Sequence, residues 1–156
     1  DRVWTGLHDL TSDDDAEVRH FSGTVAFRQD VELSIAEARA ARTLDLGAVK
    51  GGLVRVYVNG LDCGAVWTAP WSLPVGVALT PGTNHIELRF TNTWQNRLIG
   101  DCALPAEQRV TQSGLHYHQG ERVRVPGRGW VPTVYSGYTP SDALLSNGII
   151  GPVILK

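Results

Sequence analysis

The side chains best suited to chemistry in this chain are tryptophans set among polar residues: Trp67, Trp71, Trp94 and Trp130, with Asn92, Asn96, Arg97 and Asp101 nearby in sequence. Indole faces stack on the C–H patches of pyranose rings, and Asn, Arg and Asp exchange paired hydrogen bonds with neighbouring hydroxyls. This combination points to carbohydrate recognition. The same residues also admit a structural reading. In it the indoles anchor a core, and Arg97 and Asp101, four apart, lock a turn as a charge-assisted pair.

Catalytic groups lack a matching context. The chain has no G-x-S-x-G elbow, no Gly-rich phosphate loop and no H-E-x-x-H pair. His116 and His118 would share one face of a strand, a spacing that holds a transition metal once a third ligand arrives, but no third ligand is evident. Asp13-Asp14-Asp15 could offer oxygens to a structural calcium, yet the run lacks the Gly-interrupted spacing of a calcium loop and reads first as a solvated turn. A hydrolase built on Asp101 would need a second carboxyl about 5 to 10 Å away in a cleft. The expectation is a non-catalytic protein with no cofactor.

Composition narrows the class. The chain has 156 residues, 42% of them hydrophobic, and 14 basic against 16 acidic groups give a net charge of −2. Length and balance describe one domain with one core. No apolar run approaches the roughly 18 residues of a membrane span, and no basic excess suggests a nucleic-acid surface. The chain contains no Met, so residues 1–156 are expected to be a single module excised from a larger protein. Cys63 and Cys102 can form one bridge in an oxidising compartment or remain separate thiols.

The elements that must position these residues are mostly strands, because 17 Gly and 8 Pro punctuate the chain. Within 21–33, Val25, Phe27, Val31 and Leu33 alternate with Ala26, Arg28, Asp30 and Glu32, so one face is buried. Leu53 to Val58, Asn59-Gly60 and Leu61 to Trp67 read as a hairpin that brings Cys63 near the buried face. Pro81-Gly82 reads as a type II turn before a strand with Ile86, Leu88 and Phe90 inward. Ser34 to Arg42 has helical composition sufficient for one or two turns. The run Ile149 to Leu155 reads as a strand buried on both sides or tucked against a second sheet, and 102–147 reads as long loops. The predicted fold class is all-β, an antiparallel two-sheet sandwich of the jelly-roll kind.

These residues carry a family resemblance. In order, Phe21-Ser22-Gly23-Thr24, Leu44-Asp45-Leu46-Gly47, Val58-Asn59-Gly60, Val66-Trp67 with Pro70-Trp71, Pro81-Gly82-Thr83-Asn84, the string TNTWQNRLIGD over 91–101 and SNGIIGPVIL over 146–155 span nearly the whole chain. The set resembles the galactose-binding-like sandwich domain of large bacterial glycoside hydrolases, above all those of the α-L-rhamnosidase type. TNTWQNRLIGD with the closing NGIIGPV is its most specific part. The resemblance implies catalytic carboxylates in another domain and a carbohydrate-binding role for Trp67, Trp71, Trp94, Asn96, Arg97, Asp101 and Trp130. The implied partners are a plant or algal polysaccharide and the parent's catalytic domain, in a secreted or periplasmic setting. The alternative it leaves open is a structural accessory domain that packs on the catalytic domain without binding glycan.

Overall fold

In a computed structural model, residues 4–108, 122–125, 129–132 and 138–156 are described. The chain forms two compact units, residues 1–93 with 145–156, and residues 94–144.

The first unit is built on a four-stranded antiparallel sheet with strand order β1-β7-β4-β5, where β1 is Thr24–Leu33, β4 Gly52–Val58, β5 Leu61–Val66 and β7 Gly82–Asn92. Its period-2 alternation is the one expected: Val25, Phe27, Val31 and Leu33 turn inward from β1. The β4–β5 turn is Asn59-Gly60, whose φ angles of 52° and 80° meet the demand of a type I′ turn for two left-handed residues. Val56 pairs with Gly64 and Tyr57 with Asp62, so Cys63 is the extra residue of a bulge and packs its side chain against the core.

A second layer pairs β3 (Ala48–Lys50) with β10 (Gly148–Gly151), and β2 (Thr43–Asp45) with both β6 (Ser72–Pro74) and β11 (Ile154–Leu155), all antiparallel. Leu44, Leu46, Val49, Leu73, Val75 and Ile149 from this layer meet Val54, Val56, Val58, Ile86, Leu88 and Phe90 from the first in one buried cluster. The architecture is an antiparallel all-β sandwich. The short helical stretch predicted over 34–42 is α2 (Ile35–Ala40), opened by a capping box in which the Ser34 hydroxyl accepts from the Glu37 amide and Glu37 accepts from the Ser34 amide.

Of the two settings expected for the closing run, the structure shows the one-faced one: Ile150 and Ile154 face solvent while Ile149 is fully buried against the core, so the run is not buried on both sides. Pro152, with no N–H to donate, separates β10 from β11, and each short strand covers the core with one face only. The 102–147 stretch is not all loop, because the second unit contains a hairpin of β8 (Arg122–Val125) and β9 (Gly129–Pro132).

Inside the sandwich, polar side chains are matched atom by atom. Asn84 is fully buried. Its carbonyl accepts from the Thr80 amide and from Asn59 Nδ2, each at 2.9 Å, and its own amide donates to the carbonyls of Thr80 at 2.7 Å and Gly82 at 2.9 Å. At the other end of β7, Asn92 accepts from the Gly23 amide at 2.9 Å and donates to the Phe21 carbonyl at 2.7 Å. The two ends of the chain meet at Asp9, beside the short 3-10 turn Leu10–Ser12 that it caps. Its carboxylate accepts from the Thr11 amide at 3.0 Å, the Thr11 hydroxyl at 2.7 Å, the Ser146 hydroxyl at 2.5 Å and the Asn147 amide at 3.2 Å. Gly148 makes this approach possible, since a Cβ there would stand 2.2 Å from the His8 carbonyl oxygen.

Two outcomes follow from these contacts. Asn84→Ala removes four hydrogen bonds, those with the Thr80 amide, the Thr80 and Gly82 carbonyls and one of the two made by Asn59 Nδ2, and is expected to cost about 2–4 kcal/mol, read from urea unfolding. For Asp9, partial burial pushes the pKa up, but the hydrogen bonds from Ser146, Thr11 and Asn147 outweigh it and hold the group below its ordinary 3.8. A depressed folded-state pKa stabilises the fold above the unfolded value, and that stabilisation is lost as pH falls through the folded one. The stability gap between the unaltered chain and Asp9→Asn should therefore be widest near neutrality and shrink below about pH 4. A gap independent of pH would show that the ionised carboxylate is not what holds the two chain ends.

Candidate functional site

Trp67 and Trp71 flank one loop of the first unit, between β5 and β6, and the structure gives them opposite surroundings. Val66 is buried and ends the strand; Trp67 then projects outward with 79% of its surface exposed, and residues 68–70 are exposed as well. Trp71 turns back, packs against the core, and accepts the Leu46 amide on its carbonyl at 2.7 Å. The loop is thus rooted at Trp71 and displays Trp67.

In the second unit, Trp94, Asn96, Arg97 and Asp101 belong to one helix, α3 (Gln95–Cys102). The sequence predicted a strand end followed by a turn; the pair spacing is right, but the backbone is helical. Trp94 is the N-cap residue, 65% exposed; its side chain makes no cap hydrogen bond, and its carbonyl accepts the Leu98 amide at 2.9 Å. Asn96, Ile99 and Asp101 are buried. Arg97 Nε meets Asp101 Oδ1 at 2.9 Å across one helical turn, with side-chain exposures of 26% and 1%. The ion pair of the predicted lock is therefore present, with Arg97 Nε close to the carboxylate but not aligned to hydrogen-bond it, and Arg97 forms its outward edge. Trp130 lies on β9 opposite Arg124.

The metal candidates fare differently. His116 and His118 lie outside the described residues. In the Asp13-Asp14-Asp15 run, Asp13 Oδ2 accepts from Trp4 Nε1 at 3.0 Å and lies 3.1 Å from His8 Nε2, while Asp15 caps α1 (Ala16–Arg19) by accepting the Glu17 amide at 2.9 Å. Trp4 and His8 stack beside it with centroids 5.4 Å apart. These carboxylates organise the N-terminal segment, and among the described residues no group of three or more metal-capable side chains converges. Cys63 and Cys102 are both free thiols. Burial pushes the Cys63 thiol above its usual range, and Cys102 donates to the Tyr138 carbonyl at 3.1 Å.

Sequence reasoning missed the outward face of the first sheet. There Arg28 pairs with Glu87 at 2.8 Å, Glu87 also takes Arg89, Arg55 pairs with Asp62, and Arg89 lies 4.5 Å over the Tyr57 ring. The signal was available in the polar half of the alternation, Arg28, Asp30, Glu87 and Arg89, which the strand reading used only to orient the apolar half.

Removing Arg97 takes away the cation that stands 2.9 Å from the buried Asp101 carboxylate. Arg97→Ala should destabilise α3 by about 2–3 kcal/mol, less than a fully buried pair because Arg97 is partly solvated. Faster hydrogen exchange at the amides of Leu98 and Ala103, which close the helix onto Trp94 and Gly100, is the readout; unchanged protection would mean the pair does not hold the helix.

No family model matches the chain. It is 32% identical over 142 residues to a protein of Formosa agariphila named "Putative beta-glucuronidase", covering 87% of this chain and 12% of that protein. The structure of a rhamnosidase from a Novosphingobium species superposes with a TM-score of 0.72 at 33% identity, over 96% of this chain and again 12% of the other. The chain therefore spans only about an eighth of each relative. Sequence and fold together make the chain the counterpart of a β-sandwich segment, about an eighth of the length, of two much longer proteins named as a glucuronidase and a rhamnosidase.

Proposed function

We propose that the chain is a non-catalytic carbohydrate-binding module of an exported, polysaccharide-degrading glycoside hydrolase, holding plant or algal glycan near a catalytic domain elsewhere in that protein. The observation that carries this reading is Trp67. Leaving a large apolar side chain in water forgoes roughly 1.5–3 kcal/mol of burial, and here the indole is presented on a loop whose other end is fixed in the core by Trp71. Trp94 is a second exposed platform. Arg97, with Asn96 and Asp101 buried behind it, offers a positioned guanidinium for hydroxyls, and Trp130 adds a further indole. The rhamnosidase relative makes rhamnose-containing polymers the first ligands to try.

The second reading is a structural accessory domain that packs on the catalytic domain without binding glycan. Val77, 95% exposed, and Ile35, 59% exposed, favour it, because isolated aliphatic side chains gain nothing from sugar but are suited to a protein contact.

Isothermal titration against rhamnose-, galactose- and xylose-containing polymers separates the two. The module reading expects binding that Trp67→Ala weakens about three- to tenfold, the scale of one aromatic stacking contact. Melting should be unaffected, because an exposed side chain contributes little to stability. No binding by the unaltered chain to any of these polymers, with self-association through its aliphatic surface, would replace the first reading by the second.

A further inference from the structure

The outward face of the four-stranded sheet holds an open groove of about 420 Å³, lined by Arg28, Asp30, Tyr57, His85, Glu87 and Arg89 along with Gly60 and Ile86. Strand register brings these side chains together: Arg28 stands opposite Glu87 and Asp30 opposite His85 across β1–β7, and Tyr57 stands opposite Glu87 across β4–β7. Each long side chain is held. Glu87 bridges Arg28 and Arg89, the Arg89 guanidinium rests on the Tyr57 ring, and His85 Nδ1 lies 2.7 Å from Asp30 Oδ1. Hydrogen bonds from Arg89 and then Arg28 hold the Glu87 carboxyl below the usual range, so it is ionised at ordinary pH.

Cross-strand pairing alone accounts for part of this arrangement. Arg28 against Glu87 is a favourable opposite-charge pair. Arg55 directly opposite Arg89 is not, since facing like charges destabilise a sheet. The clash is relieved by sending Arg55 to Asp62 and Arg89 to Glu87 and Tyr57. A sheet selected only for stability would not place two guanidinium groups there.

We propose that this groove binds a neutral oligosaccharide, as a second glycan surface in addition to the Trp67 loop; the proposal rests on the carbohydrate-binding reading of the domain. The charges in the groove cancel, Arg28 and Arg89 against Asp30 and Glu87. A net-neutral site has no Coulombic preference for an anionic or a cationic ligand. Guanidinium groups donate and carboxylates accept, which together match hydroxyls that do both. Tyr57 adds an amphipathic surface, and the ion pairs order the side chains before the ligand arrives, which lowers the entropic cost of binding.

Nitrogen-15 NMR titration of the full chain with xylohexaose and galactotetraose, and with hexagalacturonate as the anionic counterpart, tests this. The expected result is shifts at the amides of Arg28, Tyr57, His85, Glu87 and Arg89 with a neutral oligosaccharide. These shifts should persist in Trp67→Ala and be weakened at least tenfold in affinity by Glu87→Gln or Arg28→Ala, with the remaining sheet amides unchanged as the check on folding. Shifts confined to the Trp67 loop overturn the groove and leave the module reading standing. Preference for hexagalacturonate overturns the neutral ligand. Shifts that survive both groove substitutions overturn the site. Absence of shifts with all three probes overturns the groove, while the module reading is decided separately by the titrations with rhamnose-containing polymers.

Discussion

The fold depends on β7, and specifically on what its inward face carries from one end to the other. Asn84, Ile86, Leu88, Phe90 and Asn92 point the same way and all are buried. The three apolar residues fill the sandwich, and an amide closes each end. Asn84 ties the strand to the β4–β5 turn and to the loop at Thr80, while Asn92 ties it to the start of β1 and reaches toward Asn147. A buried amide is worth little when matched and costs heavily when unmatched. These asparagines therefore fix register: a slip of β7 by one residue would both expose the apolar set and strand the amides.

The ends of the chain are held by the same logic with a charge added. Asp9 gathers donors from Thr11, Ser146 and Asn147, and Leu10, buried beneath, donates its amide to the Asn147 carbonyl at 2.9 Å. An N-terminal segment whose described residues pair with a strand only through one bridge, Asp9 to Gly148, is thereby made part of the core. The outer face of the β1-β7-β4-β5 sheet is organised differently. Its ion pairs lie in solvent and contribute little to stability, so that face is free to serve recognition while β7 keeps the fold.

Legibility in the sequence follows the same division. Where one face is apolar and the other charged, as in β1, β4 and β7, period-2 alternation reveals the strand, and Asn59-Gly60 reveals its turn. The β8–β9 hairpin is hidden because Arg122-Val123-Arg124-Val125 is short and sits among Gly, Pro and Arg that read as loop. The burial of Asn84 and Asn92 is hidden because an asparagine near a strand end has the composition of a turn; only its partners, distant in sequence, show otherwise. The closing run misleads in the opposite direction, since Ile150 and Ile154 continue an apolar string while facing water. For the candidate site, residue types were legible and surroundings were not. Trp67 and Trp71 are four apart in one loop, and only the return of the chain at Leu46 decides which of them the core takes.

Helix α3 shows why a motif can be recognised before its conformation is. Its N-cap residue is a tryptophan whose side chain makes no cap bond, and Gly100 sits inside it, so propensity and capping both argue against a helix. Its charges are also reversed: Arg97 lies in the first turn and Asp101 in the last, against the macrodipole, and a basic residue preceding an acidic one is the weaker order for a pair four apart. Nothing local favours this helix. It is held by the burial of Asn96, Ile99 and Asp101, and the Arg97 pair offsets part of the cost of burying the Asp101 carboxylate. A sequence that keeps such an unfavourable arrangement gains something other than helix stability from it. What the arrangement delivers is an exposed Trp94 at one end and the partly exposed Arg97 guanidinium one turn on, the two groups on which the proposed glycan contact rests.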